Sequence, residues 1–241
     1  MGLEYHKIDI EEGDILLSPS SLAQLFDNAG AWRKTYLLGE KKFTGNDNTY
    51  LGSLLHNRIE QYYLGGKIDK ALELSYLDDN NALDQWKIME ALEPMYNQWV
   101  LDYGSLKPKP NIIEGAYKYS PTKGFVIGGS IDAIVGETII DWKTSAKSKS
   151  SLADYKMQLY AYAFILRNNG MIINNVSVVN IVKPSTKGEV KVNILHEPID
   201  EDYMDNFLKL LQLQVKRIKL TKEQPELAEL LWMDNPFSYR S

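Results

Sequence analysis

Gly128-Gly129-Ser130-Ile131-Asp132-Ala133-Ile134-Val135-Gly136-Glu137-Thr138-Ile139-Ile140-Asp141-Trp142-Lys143 holds two short β-branched runs joined by Gly136-Glu137. A glycine in first place of a two-residue connection predicts a type II′ hairpin. The register follows: Val135 faces Thr138, Ile134 faces Ile139, Ala133 faces Ile140, Asp132 faces Asp141 and Ser130 faces Lys143. Period-two alternation then sets Asp132, Asp141 and Lys143 on one face. Opposed residues have Cβ atoms about 4.5–5.5 Å apart, where like charges repel. A divalent cation between the two aspartates resolves that conflict, and oxygen ligands suit Mg²⁺ or Mn²⁺. The plainer alternative is a solvated strand end, with Lys143 relieving the carboxylates.

The 241 residues are enough for one domain with a sizeable core, and 44% hydrophobic with 24% charged residues is ordinary for a globular chain. There is no cysteine, which excludes disulfides, thiolate zinc sites, cysteine-ligated iron–sulfur clusters and a cysteine nucleophile. No signal peptide or membrane-length apolar run is present, so a cytoplasmic location is expected, or the host cytoplasm for a phage protein. Net charge is −5, yet residues 141–191 carry eight basic and three acidic side chains, +5 against −10 for the rest. That stretch reads either as a local basic surface beside the hairpin or as a solvated lysine-rich face.

Residues 1–17 read as an arm or edge strand. Ser18-Pro19-Ser20-Ser21-Leu22 is a helix start, with a hydroxyl cap and proline at the first position. Residues 31–38 predict a short helix ending at Gly39, and 41–47 a polar loop. Residues 48–64 predict a helix with Leu51, Leu54, Leu55, Ile59 and Tyr62 as its apolar stripe, stopped by Gly65-Gly66. Gly52, His56 and Glu60 stack beside that stripe, and Gly52 would allow another backbone to approach His56. After a short helical linker at 67–78, residues 80–103 carry an amphipathic pattern of Leu83, Trp86, Met89, Leu92, Tyr96, Trp99 and Tyr103, read as core, which Pro94 should kink or divide. Strands at 111–119 and 125–135 join 138–143 in a meander; Glu114 is either an edge charge or a third acid reaching the aspartates. A helix at 152–168 places Gln158 and Tyr162 one turn apart. Two strands (175–182, 188–196), a helix at 201–220 and a short helical tail complete the chain.

The ordered set Gly52-x-x-x-His56, Asp132, Asp141-x-Lys143 and Gln158-x-x-x-Tyr162 resembles the PD-(D/E)XK nuclease superfamily, in its RecB-like branch. The Ser-rich helix start of Leu17-Ser18-Pro19-Ser20-Ser21-Leu22 resembles that branch too, and the likeness runs from about residue 17 to residue 182. The resemblance implies a restriction-endonuclease-like α/β core, a central mixed sheet with an antiparallel meander flanked by helices, plus N-terminal helical decoration. A single nuclease domain would span 1–241, with a mainly helical part at 17–110, the sheet core at 111–200 and C-terminal helices at 201–241.

It also implies roles. His56, Asp132, Asp141 and the carbonyl of Trp142 would be metal ligands, with Mg²⁺ or Mn²⁺ as the ion, and Asp132, Asp141 and Lys143 the catalytic set. Lys143, beside a metal, should have its pKa pushed down. Gln158 and Tyr162 would hold nucleic acid or support the site, with Lys147 and Lys149 as further substrate contacts and Glu114 and Glu60 as further candidates. Ile131 stands where the superfamily's name has proline, and the four cluster cysteines of many relatives are missing, so no iron–sulfur cluster is expected. The implied function is a stand-alone metal-dependent DNA exonuclease of phage or repair type, acting on single strands or duplex ends. The alternatives are a non-catalytic DNA-binding or assembly module on the same fold, and a hydrolase of another phosphate ester. Oligomeric state is not readable from the sequence.

Overall fold

The computed structural model describes residues 9–40, 45–184 and 189–232. The polar loop expected at 41–47 and the helical tail fall partly outside them. In chain order the elements are β1 (Ile15–Leu17), α1 (Pro19–Asp27), α2 (Ala29–Trp32, continued by a π-helical turn Arg33–Leu37), α3 (Asp47–Leu64), α4 (Lys70–Asp79) and α5 (Gln85–Trp99, continued by a second π-helical turn Val100–Gly104). Then come β2 (Ile112–Thr122), β3 (Phe125–Val135), β4 (Thr138–Ser145), a 3₁₀ turn at Ala153–Tyr155, α6 (Lys156–Asn168), β5 (Asn175–Val182), β6 (Lys191–Pro198) and α7 (Glu201–Glu223). A 3₁₀ turn at Pro225–Leu227 leads to the short α8 (Ala228–Leu231).

The six strands form one mixed sheet. β2, β3 and β4 are the expected meander; β5 lies parallel to β4, and β6 antiparallel to β5. One face is covered by α1, α6 and α7, whose Leu22, Leu25, Leu159, Leu166, Phe207 and Leu211 share a core with Ile127, Ile139 and Val178. The other face is covered by α3 and α5, where Leu54, Leu55, Leu92 and Trp99 meet Ala133, Ile140, Trp142 and Val179. The sheet is therefore buried on both sides, as the fold class requires.

Local chemistry explains most boundaries. The Ser18 side chain accepts the Ser21 N–H at the start of α1. Gly65 takes φ +70 after α3, a left-handed cap that other residues rarely adopt. At the hairpin Gly136 has φ +58 while Glu137 does not share a positive φ, compatible with the expected II′ turn and not with I′. The register Val135–Thr138, Ile134–Ile139 and Ala133–Ile140 is as read from the sequence.

Two expectations fail, and of the two outcomes expected at Pro94 the division does not occur. Pro94 does not divide α5, which runs through it from Gln85 to Trp99. The buried stripe of that helix is Ile88, Leu92, Met95 and Trp99, whereas Leu83 is 94% exposed and Trp86 is 79% exposed. Leu83 precedes the helix, and Trp86 lies in its first turn, before the helix reaches the core. Gly52 is not demanded by a close backbone, since an added Cβ would meet only Thr144 Oγ1 at an ordinary 3.6 Å.

Arg58 is a buried charge that no apolar pattern signals. Its guanidinium is 1% exposed and binds Glu73 of α4 through Nε at 2.6 Å and Nη2 at 2.8 Å, and Glu93 of α5 through Nη1 at 2.9 Å. Three helices thus meet on one side chain, two residues after His56. Removing one partner of a buried pair leaves the other uncompensated. Arg58→Ala is therefore expected to cost about 3–5 kcal/mol in urea unfolding, with Arg58→Met plus Glu73→Leu recovering most of it. A loss under 1 kcal/mol for Arg58→Ala would contradict this reading.

Candidate active site

β3 has more neighbours than edges. β2 pairs along almost its whole length, from Phe125 to Ile134. The other edge is divided: β1 pairs in parallel with Phe125–Ile127, and β4 pairs antiparallel with Ala133–Val135. Between them residues 128–132 have no ladder partner on that edge, so β4 and β3 open into a fork. The expected pairs Asp132–Asp141 and Ser130–Lys143 are consequently not formed.

The alternation of faces also slips here. Ile131 and Ile134 lie in the same core although three residues apart, as do Ile112 and Tyr117, five apart. Strict period two forbids both. In β2 the slip falls at Glu114, which adopts φ +47, strained for a non-glycine residue. In β3 it falls at Asp132, whose carboxylate turns into the fork and accepts the Trp142 N–H at 2.7 Å in place of a ladder bond. Asp132 therefore enters from the strand edge and not, as strict alternation predicts, from a face shared with Asp141 and Lys143.

Asp141 and Lys143 stand on the α6 side of β4. Lys143 Nζ straddles the carboxylate, 3.0 Å from Oδ1 and 2.9 Å from Oδ2. The intervening Trp142 points to the opposite face, edge-on to Trp99 at 5.7 Å and Tyr103 at 5.3 Å. From α3, His56 bonds through Nε2 to the Trp142 carbonyl at 2.9 Å. Its Nδ1 lies 3.5 Å from Asp132 Oδ1 and 3.6 Å from Glu114 Oε1. Glu114 thereby reaches the aspartates' site, the second of its two readings, and Ser130 Oγ donates to its Oε2 at 3.0 Å.

Burial works against charge on His56, but Asp132 and Glu114 overcome it and push its pKa up to about 10. Asp132 is held low despite burial, chiefly by His56 and then by Lys143. Burial, with Asp132 nearby, lifts Asp141 to about 6 against the pull of Lys143. At Lys143 burial lowers the pKa, but Asp141 and Asp132 outweigh burial and the net direction is up, whereas the lowering expected beside a cation concerns the loaded site. The nearest charged neighbours of Lys143 are carboxylates.

The donor set fits a hard divalent cation. His56, Glu114 and Asp132 place ligand atoms within 4.8 Å of one another. Among the described residues, Glu114 Oε1 is buried without a hydrogen-bond partner, and so is Asp141 Oδ2, with the Lys143 ammonium as its ion-pair neighbour. Carboxylate-rich groups with one imidazole suit Mg²⁺ or Mn²⁺. A His56 whose Nε2–H is fixed by a carbonyl has the usual support of a ligating histidine. The Trp142 carbonyl, itself expected as a ligand, is the group that bonds His56. Glu60, one turn further along α3, is not among the three converging residues.

Gln158 donates to Tyr162 Oη at 2.9 Å and lies 3.5 Å from Asp141 Oδ1. Tyr162 is 6% exposed, and burial raises its pKa well above normal, so it stays protonated. Gln158 thus lies between Tyr162 and Asp141 on the α6 side. Lys149 is engaged by Asp154 at 2.6 Å, while Lys147 is exposed. Asn180, fully buried in β5, was missed; the polar break in Val176-Ser177-Val178-Val179-Asn180-Ile181-Val182 was the available signal.

Ligation requires His56 to release a proton, so cation binding strengthens as pH rises. Millimolar Mn²⁺ is expected to raise Tm more at pH 8.5 than at pH 6.5, and Glu114→Gln to shrink the gain. Without the ion, the His56 contribution is complete below its ordinary 6.5 and fades as pH climbs towards about 10. A melting series showing no Mn²⁺ effect at either pH would count against a cation site.

The model of the PD-(D/E)XK nuclease superfamily matches residues 16–227. A comparison with curated proteins gave no significant match. Among solved structures, one from Eubacterium rectale described as "Putative exonuclease" superposes with TM-score 0.58 at 15% identity, covering 90% of this chain and 88% of that one. LHK-Exo in complex with dAMP superposes with TM-score 0.41 at 14% identity over 89% and 95% of the two chains. The first of these supports the fold alone. With the family model spanning almost the whole described chain and the fork carrying His56, Asp132, Asp141 and Lys143 in the order of the family's motifs, this chain belongs to the PD-(D/E)XK nuclease superfamily.

Proposed function

We propose that this protein is a metal-dependent deoxyribonuclease, an exonuclease of phage or repair and recombination type. The observation that carries the reading is the meeting of His56, Glu114 and Asp132 with the Asp141–Lys143 pair at the fork. His56, Glu114, Asp132 and Asp141 would hold Mg²⁺ or Mn²⁺. The ion, when bound, supplies charge neutralisation at the scissile phosphate and lowers the pKa of an attacking water.

The chain's own residues do the rest. Trp142 positions the set from both of its backbone groups, its N–H on Asp132 and its carbonyl on His56. Lys143, held by Asp141, would position or deprotonate the attacking water or stabilise charge developing on the phosphate. Gln158 and Tyr162 keep the Asp141 carboxylate aimed into the fork. Substrate would approach the side where β3 is unpaired.

End-labelled single- and double-stranded DNA, followed over time with Mg²⁺, with Mn²⁺ and with EDTA, tests this directly. Metal-dependent release of end nucleotides is expected. Lys143→Ala should lower the rate by about 10²–10³-fold, the usual weight of one electrostatic donor. Lys143→Arg should not rescue it, because a planar guanidinium cannot fit the place of a compact ammonium. Wild-type protein that binds DNA and leaves every bond intact would instead support a binding module on this fold.

A further inference from the structure

Asn180 is 0% exposed, on a strand whose other buried positions are apolar apart from Ser177. Burying an amide is costly unless its hydrogen bonds are met. Here they are met by one loop. Asn180 pairs in register with Lys143, so the two side chains stand side by side on the α6 face. Its Nδ2 donates to Ser145 Oγ at 2.8 Å and points to the Lys143 carbonyl at 3.4 Å; its Oδ1 accepts the Lys149 N–H at 3.1 Å. Both ends of the loop that follows Lys143 are thereby tied to one buried amide.

Further ties close the loop. Ser145 Oγ donates to the Lys147 carbonyl at 2.7 Å, and the Ser145 carbonyl accepts the Lys183 N–H at 2.9 Å. Asn193 of β6 donates to Ser148 Oγ at 3.1 Å, and the Lys149 ammonium is taken by Asp154. Polar surface loops are usually mobile; this one is fixed at nearly every residue. At its tip Lys147 is exposed, and no ion pair engages it among the described residues. Four residues of chain reach at most about 14 Å, so Lys147 lies within range of phosphates flanking one bound at Lys143.

We infer that Asn180 is a positioning residue that sets the Ser145–Lys149 loop so that Lys147 grips a backbone phosphate of the bound DNA strand next to the scissile one. This rests on the reading of the protein as a DNA nuclease. It separates two tasks on adjacent strands: Lys143 serves the chemistry, and Asn180, through the loop, serves strand binding. The amide matters for its two-sided hydrogen bonding, donor to Ser145 and acceptor from Lys149, which neither aspartate nor leucine reproduces.

The test uses the full-length protein in EDTA, where hydrolysis is blocked, with a fluorescein-labelled 12-nucleotide DNA titrated at several salt concentrations. Each phosphate contact contributes about 0.7–0.9 to the slope of log K against log salt. Lys147→Ala and Asn180→Ala are each expected to weaken binding several-fold at low salt and to flatten the slope by about that one contact. The double variant should bind no worse than Asn180→Ala, because both remove the same contact. Should Asn180→Ala fail to fold, Ser145→Ala removes one anchor at a half-buried position and should flatten the slope likewise. A lowered melting temperature with wild-type affinity and slope would overturn the inference and leave Asn180 a structural amide. Wild-type protein with no DNA affinity at all would overturn the DNA reading together with it.

Discussion

The site depends on how the backbone hydrogen bonds of β3 are shared out. A strand has two edges, and here one of them serves both β1 and β4. Neither reaches residues 128–132, so that stretch must be open on one side. An opening in the middle of a buried sheet would be costly if its polar groups went unmet. The Asp132 carboxylate meets one of them by accepting the Trp142 N–H, and His56 meets another by bonding the Trp142 carbonyl. The same groups that close the gap electrically are the candidate ligands. Structure and the proposed function thus meet in one feature: the side chains that make the opened strand edge tolerable are acids and an imidazole.

The surroundings hold this arrangement in place from two directions. The Trp142 indole is buried among Trp99 and Tyr103, which pins β4 from the α5 side. Arg58 ties α3 to α4 and α5 and so fixes the helix that delivers His56. On the opposite face α6 brings Gln158 and Tyr162 against Asp141. Glu114 completes the group at the cost of a strained backbone, φ +47, which persists because β2 pairs with β3 on both sides of it. Strain that survives at a cluster of acids is expected where function requires it.

Much of this was legible in the sequence because it rests on short-range rules. The hairpin followed from a glycine-led turn between β-branched runs, and α1, α3 and α6 from caps and apolar periodicity. Asp132 and Asp141 stood out from the hairpin reading, although by a register that does not extend to them, and His56 came from the resemblance to the superfamily's motifs. What could not be read depends on distant partners. That β1 would take part of the β3 edge, and so split β3 from β4, is a non-local event with no local signature. Glu114 needed a left-handed conformation that nothing in Ile112-Ile113-Glu114-Gly115 announces. Leu83 and Trp86 fit the helical stripe in period, but the core ends before they are reached. Arg58 and Asn180 are polar residues whose burial is set by their partners, and composition alone would have placed both at the surface.

The opened strand edge gathers His56, Glu114 and Asp132 within reach of one cation, with Asp141 beside them as the proposed further ligand. Crystals grown with Mn²⁺ and measured for anomalous scattering address it most directly. The expected result is a manganese peak within coordination distance of Asp132 and Asp141, with the Asp132 carboxylate in the fork and His56 still bonded to the Trp142 carbonyl. A fully formed site with no anomalous peak in the fork at millimolar Mn²⁺, or a peak bound by other residues, would contradict it.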